Sequence, residues 1–363
     1  MTGIYVHIPF CERKCNYCAF TSFSSDENTK EKYVDLLCKE IKSRADGRKI
    51  ETIYFGGGTP SVLRPSQIER ISNIIKENFD LSSLKEWTIE ANPNSTTEDF
   101  LKSCKKIGIN RISIGVQTLS DRNLKKIGRL HTKDEALEKI KLSRKYFENV
   151  SADLLVGLEG EDGDTLCNYA KTLLNLGIKH ISCYLLEIYQ NTKLFEMIKS
   201  KEFCPLTDDA QIDAFEMLSA FLKAQGMIRY EISNFAYPGF ESKHNIGYWT
   251  RKEYFGFGIS AHSFLNETRI ENSHTLIGYE MGDRKAEKLS DKEILEEAIM
   301  LGLRCNIGVN LTDLKNLGYK ISKNEFFDEY LKQNILIKQN GKIYLNEDYY
   351  DVSNTIISNL LPN

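Results

Sequence analysis

The sequence predicts an α/β fold: a partial (β/α)6 barrel, a C-terminal α/β extension, and a small winged-helix-like tail. Two observations carry that expectation. Over the first 200 residues, short apolar runs alternate with longer amphipathic ones. Beyond about residue 200 the alternation stops, and a Gly-, Tyr- and Trp-rich stretch takes over. Strands that alternate with helices pair in parallel through right-handed crossovers. Six such units curl a sheet but fall short of the eight that close a barrel.

The elements follow in order. Residues 4–8 read as a strand, 28–44 as a helix, 52–55 as a strand and 65–77 as a helix. Residues 87–91 are a strand and 97–107 a helix; 111–116 are a strand, with helices over 120–127 and 133–146. Residues 151–156 are a strand, 163–176 a helix, and 180–186 the sixth strand. Further on, 208–225 and 291–303 have helical periodicity. A short hairpin is expected over 335–345, turning at Asn340-Gly341. The expected divisions are 1–205 for the barrel, 206–305 for a segment that completes it, and 306–363 for the tail. The tail is not strongly basic, so a docking role suits it better than nucleic-acid binding.

Composition narrows the class. The chain has 363 residues, 41% of them hydrophobic and 27% charged, with a net charge of −3. That is an ordinary globular balance, and no strong field points to nucleic acid. No basic leader precedes an apolar run, and no apolar stretch approaches the roughly 18 residues of a membrane span. The reading is cytoplasmic. Nine cysteines, six of them scattered, fit a reducing compartment better than a disulfide framework.

The other three cysteines carry chemistry. The first strand runs into Pro9-Phe10 and then Cys11-x3-Cys15-x2-Cys18. Cubane iron–sulfur clusters normally take four thiolates. Three leave one iron open, able to chelate the amino and carboxylate groups of S-adenosylmethionine. The alternative is a zinc site with a fourth ligand such as His7, but zinc knuckles use paired short spacings and the second pair is missing.

Other candidates lie at successive strand ends, which meet at one mouth in such a barrel. Tyr17, beside Cys18, is placed to stack near adenine. Gly57, Gly58 and Thr59 follow the second strand, where glycine lets a ligand approach the backbone and the methionine ammonium pair with it. Glu90 ends the third strand and suits ribose hydroxyls. Gln117 ends the fourth, Arg129 suits a carboxylate, and Asp153 lies in the fifth.

These motifs resemble a known family. Tyr5-Val-His-Ile-Pro-Phe-Cys11, the cysteine triplet, Gly56-Gly-Gly-Thr-Pro-Ser, Ile89-Glu-Ala-Asn-Pro and Ile114-Gly-Val-Gln are similar to the radical-SAM oxygen-independent coproporphyrinogen III oxidases and their relatives. The likeness runs from about residue 3 to about 310 and implies a radical-SAM barrel that binds a [4Fe–4S] cluster and S-adenosylmethionine. It also adds Tyr5 to the cofactor contacts. The true oxidases carry a fourth cysteine where this chain has Phe20, and a long N-terminal extension. The HemW-type heme chaperones resemble the chain more closely, with Cys-x3-Cys-x2-Cys-x-Phe and a His-Asn-x-x-Tyr-Trp motif, here His244–Trp249. The resemblance therefore implies a chaperone that binds heme, with His244 as the candidate axial ligand and His262 nearby. It implies as partners an acceptor protein, membrane-associated or not, and an electron donor for the cluster. The alternative is oxidative decarboxylation of coproporphyrinogen propionates. The chain is equipped to cleave S-adenosylmethionine, but Phe20 and the short N-terminus argue against that substrate.

Overall fold

The computed structural model describes residues 2–362. Six parallel strands come first: β1 Thr2–Ile8, β2 Ile50–Gly57, β3 Glu86–Ala91, β4 Arg111–Gln117, β5 Asn149–Val156 and β6 His180–Leu185. Each pairs with the next in parallel register. The crossovers are helical, over Glu27–Arg44, Pro65–Asn78, Glu98–Ile107, Lys133–Arg144 and Gly163–Asn175. Side-chain caps start four of these helices: Asp26, Thr97 and Asp162 accept from the third residue on, and Thr132 with Glu135 forms a capping box. Each cap satisfies a backbone N–H that the helix itself leaves unpaired.

Alternation along the strands sets the layers. Ile4, Val6 and Ile8 of β1, Ile53 and Phe55 of β2, and Trp87 and Ile89 of β3 join the large core beneath the helices. The residues between them face the barrel's inside and are mostly polar, as with Thr52, Tyr54, Glu86, Glu90, Arg111 and Asp153.

Both edges of this sheet are extended by strands that lack a sequence signal. Next to β6 lies β8 Asn234–Ala236, antiparallel, and then β7 Ile228–Arg229. Next to β1 lies β9 Glu253–Phe257, which is parallel to it. The strands β10 His262–Leu265, β11 Thr268–Asn272 and β12 Arg284–Lys288 continue antiparallel from there. Among the described residues the sheet has twelve strands, of which seven, β9 and β1–β6, form the parallel run.

One buried carboxylate ties the late strands to the first helix. Glu40 accepts from Arg44 (2.7 Å), the Gly258 N–H (2.8 Å), Asn272 (2.8 Å), Tyr279 (2.6 Å) and Arg284 (3.3 Å), and it is only 6% exposed.

The tail has its own apolar cluster. Leu295, Ile299 and Leu303 pack with Val309, Leu314, Phe327, Ile343 and Leu360. Its sheet joins β13 Val309–Asn310, β14 Leu336–Gln339 and β15 Lys342–Leu345 in the order β13-β15-β14. The expected hairpin is there, with Asn340 and Gly341 both at positive φ (52° and 75°). No helix among the described residues is long and apolar enough to cross a membrane.

Glu40→Ala would strand buried donors on Arg44, Asn272 and Tyr279. It should cost about 3–5 kcal/mol in chemical denaturation. Hydrogen exchange should speed up first over 253–284, with β2–β5 less affected.

Candidate functional site

The C-terminal ends of β1 and β2 build the cysteine loop. The ladder between them continues past the strands: the Gly58 N–H donates to Ile8 O (2.8 Å) and the Thr59 N–H to Phe10 O (2.8 Å). That pairing brings Cys11 Sγ within 3.4 Å of Thr59 Oγ1. Glycine is required here by space. A Cβ on Gly58 would lie 2.7 Å from Phe10 O, and one on Gly57, at φ 110°, would lie 2.5 Å from the His7 ring. The N–H groups of this turn are thus spent inside the fold, that of Gly57 on Glu90 (3.2 Å). For a ligand ammonium, which needs acceptors, the backbone carbonyls are the relevant groups.

The far side of the loop is docked on residues 126–129. Arg13 donates to Gly128 O and Arg129 O (2.9 and 3.0 Å). Asn16 binds Lys126 O and Ile127 O through its side chain (2.8 Å) and backbone (2.9 Å). Cys11, Cys15 and Cys18 are free thiols, each half-buried. Burial raises the Cys11 and Cys18 thiols above their ordinary range, so a positive partner is needed to hold them as thiolates. Among the described residues, no three His, Cys, Asp or Glu groups converge on one point as the ligands of a single ion would. Thiols spread around a loop suit the separate corners of a cubane better than one zinc ion.

Arg129 links the loop to the strand ends. Its guanidinium donates to Cys15 Sγ (3.5 Å), Asn92 Oδ1 (2.7 Å) and Gly115 O (2.5 Å). Asn92 in turn donates to Thr59 Oγ1 (2.9 Å). Gly115 leaves room for this convergence: a Cβ there would come within 2.9 to 3.1 Å of Gln117, Asn92 and Arg129. Gln117 turns the chain at the end of β4 with φ 69°. Tyr17 packs against the apolar cluster that includes Ile127, Leu155 and Phe203, and Arg129, Cys15 and Asp153 act on its hydroxyl electrostatically.

Inside the barrel, Glu90 accepts from Tyr54 Oη at 2.7 Å. Burial, with the Asp153 carboxylate adding to it, lifts the Glu90 carboxyl to about 7 against that hydrogen bond. Burial also raises Asp153, which accepts from Ser113 (3.2 Å). Tyr5 stacks on Tyr54 and donates or accepts at His7 Nδ1 (3.0 Å). Arg111, 2% exposed, has Nε and Nη1 without a hydrogen-bond partner among the described residues. Two buried carboxylates and an unsatisfied guanidinium in one polar interior are a costly arrangement without a polar ligand.

The fold thus brings Tyr5, Tyr17, Gly57, Gly58, Thr59, Glu90, Gln117, Arg129 and Asp153 together with the three cysteines. Tyr54, Asn92, Arg111 and Arg13 were not singled out from sequence. Asn92 stood inside a quoted motif, and Tyr54 follows from alternation once Gly56 is placed at the strand end.

His244 lies elsewhere. The helix Lys243–Trp249 plugs the opposite end of the barrel, where the buried Glu86 at the start of β3 accepts its Lys243 and His244 N–H groups (2.9 and 3.1 Å). The imidazole sits under Gly3, binds Thr52 through Nδ1 (2.9 Å) and Tyr248 through Nε2 (2.9 Å), and stacks on Tyr54. It is 3% exposed. Both nitrogens are engaged within the fold, so His244, expected from the sequence as a candidate heme ligand, braces the foot of the barrel, where it also borders a cavity of about 210 Å3.

Comparison with known proteins places this architecture. The model of the radical SAM superfamily matches residues 5–173. The heme chaperone HemW of Lactococcus lactis is 34% identical, over 98% of this chain and 96% of its own. The chain belongs to the HemW family of radical SAM proteins. HemW of Bacillus subtilis is 34% identical over 85% of each chain. The mitochondrial radical S-adenosyl methionine domain-containing protein 1 of Danio rerio is 31% identical, over 85% of this chain and 73% of its own. Among solved structures, the coproporphyrinogen III oxidase HemN of Escherichia coli superposes with a TM-score of 0.84 at 20% identity, covering 99% of this chain and 90% of that one, a likeness of fold. The family implies a [4Fe–4S] cluster and S-adenosylmethionine, and the thiol loop and polar interior fit both groups.

Burial lowers the His244 pKa to about 3, so the folded HemW-family chain holds this imidazole neutral while the unfolded chain protonates it near 6.5. Stability from this group is complete above about 6.5 and is lost as pH falls below it, by about 1.4 kcal/mol per unit down to about 3. His180, also lowered by burial, adds to the same trend. His244→Asn should flatten the acid limb of a stability-against-pH curve; an unchanged slope would mean that the imidazole is already charged in the fold.

Proposed function

We propose that this chain is a heme chaperone: it binds heme, carries a [4Fe–4S] cluster and S-adenosylmethionine, and passes the heme to an acceptor protein. The carrying observation is likeness over nearly the whole length to a protein named heme chaperone HemW. Phe20 adds support, because it stands where the oxidase branch has its fourth cysteine.

In this reading Cys11, Cys15 and Cys18 would hold the cluster, which would supply an open iron site for the methionine end of S-adenosylmethionine. Once reduced by one electron, such a cluster can supply the radical chemistry of the family. The chain's residues position the cofactor. Arg129 would pair with its carboxylate, and the backbone oxygens of the 57–59 turn would receive its ammonium. Glu90 accepts the ribose hydroxyls, Tyr17 packs by the adenine, and Tyr5, Gln117 and Asp153 complete the polar wall. The cell would supply the electron donor and the acceptor, and the cytoplasm is the compartment that suits reduced thiols.

The test is anaerobic reconstitution of the full chain, followed by hemin and then an apo-acceptor. Saturable heme binding and transfer are expected. Protoporphyrinogen made from coproporphyrinogen III with dithionite and S-adenosylmethionine at enzymatic rates would overturn the reading.

Two variants probe the cofactor assignments. Cys18→Ser should lose the cluster's visible absorption. S-adenosylmethionine affinity, measured by equilibrium dialysis, should fall as pH drops through about 7, where Glu90 takes up its proton. In Glu90→Gln the affinity should be lower and flat across that range. A pH profile the same as wild type would remove Glu90 from the contacts.

A further inference from the structure

Beside the cofactor-contact residue Tyr5 and the foot-helix residue Tyr248, the open edge of the barrel holds a cavity of about 400 Å3. Tyr5, Phe20, Tyr248, Tyr254, His262 and His274 line it. It therefore lies between the residues just after Cys18 and the late strands β9–β11. Aromatic faces make up much of its wall. Phe20 is 72% exposed, an unusual position for a large apolar side chain beside a polar interior.

Its polar groups are two imidazoles held by one carboxylate. His262 and Glu271 are direct partners across β10 and β11. His274 binds Glu271 through Nε2 (2.7 Å) and Ser260 through Nδ1 (2.8 Å), so both its nitrogens are engaged. His262 differs: its Nε2 is 3.7 Å from the same carboxylate, and among the described residues it has no hydrogen bond. It is half-exposed. The side chains do not form a three-ligand site for a lone ion. A porphyrin removes that requirement, because the macrocycle supplies four ligands and the protein needs to supply one. A flat apolar ring also accounts for the aromatic wall.

We infer that this cavity is the heme site, with His262 as the axial ligand to the iron. Glu271, 3.7 Å from Nε2, stands behind that imidazole as carboxylates stand behind metal-bound histidines, which leaves Nδ1 for the iron. Phe20 covers one face of the macrocycle and the solvent side stays open for hand-over. The inference rests on the heme-chaperone reading and replaces His244 with a residue whose imidazole is available.

The test uses the anaerobically reconstituted full chain, titrated with hemin and followed by difference absorption and electron paramagnetic resonance. His262→Ala should weaken binding by roughly tenfold or more and remove the imidazole signature, and Glu271→Gln should weaken it by roughly tenfold. His262→Met, which keeps a ligand of another kind, should still bind but shift the Soret band. Cluster content and circular dichroism, matched across variants, exclude misfolding. Wild-type affinity and spectrum in both His262 variants would overturn this site and leave the chaperone reading standing. Absence of saturable hemin binding by the wild type would overturn both.

Discussion

The structure depends on one constraint: in β1 to β6 alternate residues must satisfy opposite environments. Ile4, Val6 and Ile8 meet helices, whereas Gly3, Tyr5 and His7 meet the interior. The same division holds for Ile112, Ile114 and Val116 against Arg111, Ser113 and Gly115. A slip of one residue in any strand would exchange the two sets, burying Arg111 or Glu90 among isoleucines. The apolar set holds the sheet to its helices. The polar set, confined within the barrel, is where Glu90 is raised to about 7 and where Asp153 also rises. Stability and chemistry are therefore divided between the two faces of the same strands.

The late part of the chain closes what these strands leave open. The helix Lys243–Trp249 fills the foot, with Glu86 at its N-terminus, where a carboxylate complements the helix dipole. Strands β9 to β12 then widen the β1 edge and are fastened back to the first crossover helix through Glu40. Phe255 and Phe257 of β9 pack with Phe79, which joins the extension to the same core. One end is braced by these contacts. The other keeps its glycines, thiols and Arg129 together at the strand ends.

Much of this was legible in the sequence because local and tertiary requirements agree in β1 to β6. Each strand is an apolar run bounded by turn residues, and each intervening helix has its own periodicity, four of the five with a side-chain cap. The cysteine spacing and the strand-end residues follow from that frame. The strands β7 to β12 were not legible. They have two to five residues each, and in β9 the apolar face is only Phe255 and Phe257 within a glycine- and tyrosine-rich stretch. Their pairing partners are 200 or more residues away for β9 and β1, so nothing local marks the register. The motif at His244 was visible as a motif, but its end of the barrel was not. Spacing shows that His244 and Tyr248 share a helix face; that the face points to Thr52 is a tertiary fact.

The histidines show how far residue type alone carries a functional assignment. His244 lies in the more distinctive motif, yet its ring is hydrogen-bonded at both nitrogens and stacked on Tyr54. Binding iron there would break one of these bonds. His7 is similarly committed, to Tyr5 and to the Thr21 carbonyl just beyond the cysteine loop. His180 spends its nitrogens on Ser151 and Tyr230. Each of these rings is neutral because burial opposes its charge, and each holds two segments together. The His262 ring is half-exposed and has no hydrogen bond among the described residues. An imidazole that leaves a sheet toward solvent, beside a carboxylate and an exposed phenylalanine, contributes little to packing. Its position is better explained by what it can bind than by what it holds.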